Sequence, residues 1–144
     1  MGAVLAIDFG TKRLGVAVTD RERTFVFARD TIVRTTPGQD LAALSAVAKE
    51  DGADLVVVGL PLNADGTEGP MAKAARDFAA RVTEELSVAT TFVDERYTSL
   101  EADEQLKERF PRDTRKRKSL RDRVAATLIL RTWLEYGSYR ERGS

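Results

Sequence analysis

The sequence predicts one α/β domain spanning residues 1–144, a mixed five-stranded sheet with helices packed on it. Two observations carry this prediction. Short apolar and β-branched runs open the chain with only turns between them. Further on, continuous apolar runs alternate with stretches of helical periodicity. A chain of 144 residues buries about two thirds of its unfolded surface, enough for one core.

Residues 3–9 and 14–19 form a predicted hairpin joined by "GTKR", and "FVFARDTIVR" (25–34) gives a third antiparallel strand ended by Pro37 and Gly38. The stretch 40–52 places Leu41, Leu44, Val47 and Ala48 on one helical face, with Asp40 as N-cap and Gly52 as stop. "DLVVVGLP" (54–61) reads as a strand covered on both faces. Pro70 opens a helix running to about Leu86. "VATTFVDE" (88–95) is the fifth strand, expected to run parallel to the fourth. Thr98 and Glu101 have the spacing of a capping box for a further helix, and a last helix spans about Leu120 to Tyr136 after the basic loop "PRDTRKRKSL". No internal repeat or linker divides the chain.

Composition removes several chemistries. With no cysteine there are no thiolate metal sites, disulfides or cysteine nucleophiles, and with no histidine there is no imidazole base and no histidine metal ligand. Acid, base and metal work falls chiefly to carboxylates. The N-terminal apolar run is too short and lacks the basic lead of a secretory signal, and no stretch approaches the ~20 apolar residues of a membrane span. A soluble, cytoplasmic protein with no membrane partner is expected. The net charge is zero, but from Arg109 to Arg123 eight Lys or Arg stand against two Asp.

Asp8 closes a strand that otherwise reads as core, where an ionised carboxylate needs a cation or donors to hold it. Asp94 and Glu95 end the fifth strand, and at the carboxyl ends of parallel strands acids from two strands can face one crevice. Alternation puts Asp94 and Glu95 on opposite faces, so at most one shares a site with Asp8, and the sequence leaves open which. Asp122 shares a helical stripe with Ala126, Ile129 and Trp133, which turns it toward the sheet. Were Asp8, Glu95 and Asp122 to converge, Mg²⁺ or Mn²⁺ would be the simplest compensation for their repulsion. Each acid also has a plainer reading: a turn at Asp8, a surface ion pair at Glu95, a favourable helix-dipole position at Asp122.

Four blocks, "AIDFGTKRLGVAVTD", "VVVGLPLNADGTEG", "VDERYTSLEA" and "KSLRDRVAATLIL", resemble in order and spacing the YqgF/RuvX family, described as Holliday junction resolvases and as nucleases of pre-16S rRNA. The resemblance runs from Ala3 to about Glu135. It implies an RNase H-like fold and a metal-dependent nuclease in which Asp8, Glu95 and Asp122 are the catalytic, metal-binding acids. Arg123, after Asp122, departs from the small residue many members carry.

On this reading Lys12, Arg13, Arg96, Arg112, Arg115, Lys116, Arg117, Lys118 and Arg121 are expected along the nucleic-acid backbone, giving salt-dependent affinity with little sequence choice. The partner is then an rRNA precursor or branched DNA, and the protein a monomer or a homodimer. Two other classes compete. One is a non-catalytic RNA-binding factor of ribosome maturation. The other is a phosphotransferase on an actin-like fold, for which no second lobe is present.

Overall fold

β1 (Ala3–Phe9) is covered on both faces, which is why it is apolar almost from end to end where a half-buried strand would alternate. It is the middle strand of a sheet ordered β3-β2-β1-β4-β5. On one side lies β2 (Arg13–Thr19), antiparallel to β1, and beyond it β3 (Val26–Val33), antiparallel to β2. On the other lie β4 (Ala53–Leu60) and β5 (Ala89–Asp94), both parallel. This computed structural model describes residues 2–96 and 114–139, excluding the side chains of 114–120 and 122. The expected capping box at Thr98 and Glu101, and Arg112, lie outside the described residues.

Among the described residues three helices cover the sheet: α1 (Pro37–Asp51) and α2 (Pro70–Leu86) on one face, α3 (Thr114–Tyr136) on the other. Leu5, Ile7, Val16, Val56 and Val58 point to the first face and pack with Leu44, Ala75, Phe78 and Val82. Val4, Ala6, Ala17, Val57 and Val93 point to the second and meet Ala126, Ile129 and Leu130 of α3. The mixed five-stranded sheet and its helical layers are those expected from the sequence.

Two helix starts differ from expectation. α1 begins at Pro37 with Thr36 as N-cap, whose hydroxyl accepts the Gln39 N–H at 3.2 Å. Proline at the first helical position has the right φ and no donor to lose, so Thr36 and Pro37 start the helix earlier than Asp40 would. Asp40 is instead buried, accepting the Thr35 N–H at 3.0 Å and pairing with Arg34 at 3.1 Å. Gly52 ends α1 as expected, in the left-handed conformation at φ +69°. α3 starts at Thr114, so part of the expected basic loop is helical backbone and Asp122 lies in the helix interior. The helix-dipole reading of Asp122 thereby loses its basis, because that effect fades beyond the first turn.

Candidate active site

Residues of one parity along a strand share a face, so Asp8 follows Val4 and Ala6 onto the face covered by α3. On β5 Val93 faces the same way, and two residues on so does Glu95, while Asp94 takes the opposite pleat. The choice left open between these two acids is thus resolved geometrically: Glu95 reaches Asp8 and shares a hydrogen bond with it.

The sheet leaves room for this meeting. Asp8 pairs with Gly15 of β2, and the parallel register Ile7↔Val58 brings Gly59 of β4 next to Asp8 on its other side. A Cβ on Gly59 would collide with Glu95 Oε2 and with Ile129 Cδ1 of α3. Two glycines therefore form a trough on either side of Asp8, and Glu95 lies across one of them. A glycine inside a buried strand signals close approach by another group. That signal was present in "VVVGLP" and "RLGVAV", yet neither glycine stands out as functional from the sequence alone.

Burial, then the neighbouring Asp8 charge, the hydrogen bond to Asp8 and the Asp94 charge push Glu95 up to about 8. At neutral pH the two carboxyls hold a proton between them, with Glu95 donating to Asp8. Two carboxyls this close repel once both are ionised. Their donor set, hard oxygens with no nitrogen or sulfur, matches the preference of Mg²⁺ or Mn²⁺, so the residues present fit a divalent cation. Among the described residues no group of three or more acids is placed to hold a metal. The backbone of Asp122 lies in α3, four residues before Ala126, and its side chain is outside the described residues.

Behind Asp8 the Gly10–Lys12 turn is held by Arg34, the residue that follows β3. Arg34 donates its backbone N–H to the Lys12 carbonyl and Nη1 to the Gly10 carbonyl, both at 2.9 Å, with its guanidinium 4.9 Å above the Phe9 ring. A Cβ on Gly10 would lie 2.6 Å from the Arg13 carbonyl oxygen, so the turn needs glycine there. Lys12 is exposed at its tip, Arg13 is half-buried at the start of β2, and Arg121 is exposed on α3. The backbones of Arg115, Lys116, Arg117 and Lys118 fall at the beginning of α3. Arg96 folds back onto Asp94, with Nη2 at 2.6 Å from Oδ2.

Comparisons with known proteins agree with this architecture. Proteins named "Putative pre-16S rRNA nuclease" are similar over most of the chain. That of Synechococcus elongatus is 44% identical over 133 residues, covering 92% of this chain and 89% of its own. That of Anaeromyxobacter dehalogenans is 43% identical over 131 residues, covering 91% and 95%. Among solved structures, T. thermophilus RuvC in complex with Holliday junction substrate superposes with a TM-score of 0.58 at 15% identity, covering 95% of this chain and 97% of that one. At that identity the likeness establishes the fold. The family model RuvX, described as Holliday junction resolvase, matches residues 2–136, and the chain belongs to that family.

Proposed function

We propose that this protein is a cytoplasmic, divalent-metal-dependent nuclease that hydrolyses phosphodiester bonds of structured nucleic acid. Maturation of the 5′ end of pre-16S rRNA, resolution of Holliday junctions, or both, are its proposed tasks. The observation that carries the reading is the Asp8–Glu95 pair: two carboxyls sharing a hydrogen bond in a glycine-lined trough, in a chain with no histidine or cysteine. The names of the curated relatives favour the rRNA precursor as substrate.

Asp8, Glu95 and Asp122 are the proposed holders of Mg²⁺ or Mn²⁺. When bound, such cations supply a water acidic enough to attack phosphorus and positive charge for the leaving oxygen. The protein's own residues do the rest. Asp8 sits on an interior strand whose backbone is fixed by neighbours on both sides, so its carboxylate is held without help from a loop. Glu95 is held through its own N–H, which donates to the Leu60 carbonyl at 3.2 Å. Lys12, exposed at the tip of the turn after Asp8, is the proposed contact to the phosphate flanking the scissile bond.

Arg115, Lys116, Arg117 and Lys118 occupy the beginning of α3, where the helix dipole disfavours cations by several tenths of a kcal/mol each, roughly. The dipole therefore gives no reason for them, and a polyanionic partner is the proposed one. The test is an assay of purified protein with Mn²⁺, Mg²⁺ or EDTA on a four-way DNA junction, single strands of DNA and RNA, and a pre-16S rRNA fragment. Metal-dependent cleavage with 5′-phosphate ends is expected. Tight binding of the RNA without cleavage under either metal would instead identify a non-catalytic maturation factor.

A further inference from the structure

Asp94 is the acid next to Glu95 that does not join the pair, and its surroundings are built to hold it apart. Arg96 Nε lies 2.9 Å from Asp94 Oδ2 and 3.1 Å from Oδ1, Nη2 lies 2.6 Å from Oδ2, and the Arg96 backbone N–H donates to Oδ1 at 3.0 Å. Two guanidinium nitrogens and one amide of a single residue thus converge on one carboxylate, a strong, geometrically specific pairing.

The same guanidinium reaches the β4–α2 loop, where Nη1 donates to the Ala64 carbonyl at 3.3 Å. That loop is stiffened by Asp65, which accepts from the Thr67 N–H at 3.0 Å and from its hydroxyl at 2.6 Å. Gly66 takes the positive φ of +88° that the turn requires. Arg96 is therefore braced against a structured loop while it holds Asp94, and both side chains are about three quarters shielded from solvent, at 28% and 24% exposure.

We propose that Arg96 is a positioning residue. It withdraws Asp94 from the acid site, so that Glu95 alone is presented to Asp8. This rests on the metal-dependent reading above and replaces the role expected from the sequence, a direct contact to nucleic-acid phosphate. Adjacent acids on a strand are both within reach of a cation if the backbone twists at the strand end, and here β5 has just ended at Asp94. Tying one acid to an arginine braced by Ala64 fixes which oxygen atoms face Asp8.

A double-mutant cycle separates the two roles. R96M should move half-saturation by Mn²⁺, read as a thermal shift, and lower kcat, each about tenfold or more, with KM for the RNA nearly constant. D94N alone should stay close to wild type, and R96M/D94N should recover, because the charge to be withdrawn is gone. The salt slope of RNA binding in EDTA should be the same in all four proteins. A phosphate contact predicts the reverse: a slope shallower by about one in both R96M and the double variant, with no recovery, and that result overturns the proposal. So does an R96M protein indistinguishable from wild type. Should R96M prove too unstable to assay, R96K, which keeps the charge and loses the fork, is expected between wild type and D8N in Mn²⁺ affinity. R96K as poor as D8N while still folded overturns the proposal. If wild type cleaves nothing, the nuclease reading fails, while the thermal-shift arm still judges Arg96.

Discussion

Gly59 lies under the Glu95 carboxylate, so that a methyl on its Cα would strike Glu95 Oε2 and come within 2.5 Å of Ile129 Cδ1. Glu95 can swing its carboxylate aside, whereas Ile129 is fully buried and has little room to move. G59A should therefore cost about 1–3 kcal/mol of stability through overpacking. Its effect on chemistry should be larger, about tenfold to a hundredfold in Mn²⁺-dependent cleavage, because Glu95 is driven off Asp8. Urea unfolding and a cleavage assay on the same preparation check both.

The pair also sets a pH dependence. Folded Glu95 keeps its proton up to about 8, against about 4.5 for the free side chain. Between those values the folded chain binds more protons than the unfolded one, so metal-free stability falls as pH rises through the interval and levels off above it. E95Q should flatten the profile. Urea midpoints in EDTA from about pH 5 to pH 8.5 decide it. Mg²⁺ or Mn²⁺ should offset the loss at the alkaline end, where the carboxyls are ionised and ready to bind.

Replacing Asp8 with asparagine removes one of the charges that raise Glu95. D8N should abolish cleavage and the Mn²⁺ thermal shift together while leaving the far-ultraviolet spectrum unchanged. Its metal-free stability should also depend less steeply on pH than that of wild type. A D8N protein with full metal-dependent activity removes Asp8 from the site.

Much of this was legible in the chain because burial wrote it there. β1 and β4 read as unbroken apolar runs, which only strands covered on both faces need. Pro70 and Gly52 marked a start and a stop through backbone constraints that are local. The cap of α1 was misplaced because Thr36-Pro37 and Asp40 both satisfy the local rule, and Asp40 was taken up by Arg34, a tertiary partner. The pairing of Asp8 with Glu95 depends on register across β1, β4 and β5, a non-local quantity, so parity alone could halve the options and go no further. Gly59 had the right local signature, but its meaning lay in the Glu95 carboxylate that crosses above it.

The support behind the site makes its own prediction. Asp40 is 3% exposed and Arg34 20%, with Arg34 also 5.6 Å from the Phe78 ring. D40A should destabilise the fold by about 2–3 kcal/mol, since it strands a half-buried guanidinium and frees the Thr35 N–H. D40N keeps an acceptor and should cost less. Denaturant titration of both gives the difference.

The cations at the beginning of α3 should act through charge alone. Reversing Arg115, Lys116 and Arg117 to glutamate should weaken RNA binding at low salt and reduce the slope of log affinity against log salt by about two to three. The far-ultraviolet helical signal should hold or increase, because acids suit that end of a helix. Affinity that keeps its full salt slope returns this stretch to an ordinary solvated surface.

The sheet separates two apolar clusters, one on the α1 and α2 face and one beneath α3. Asp8 and Glu95 belong to the strands, but the backbone of Asp122 rides on α3. Assembly of all three acids is thereby linked to how firmly one layer sits on another, and an ion bridging them would act as a rivet between strand and helix. Amide protons along α3 should exchange more slowly once that rivet is in place.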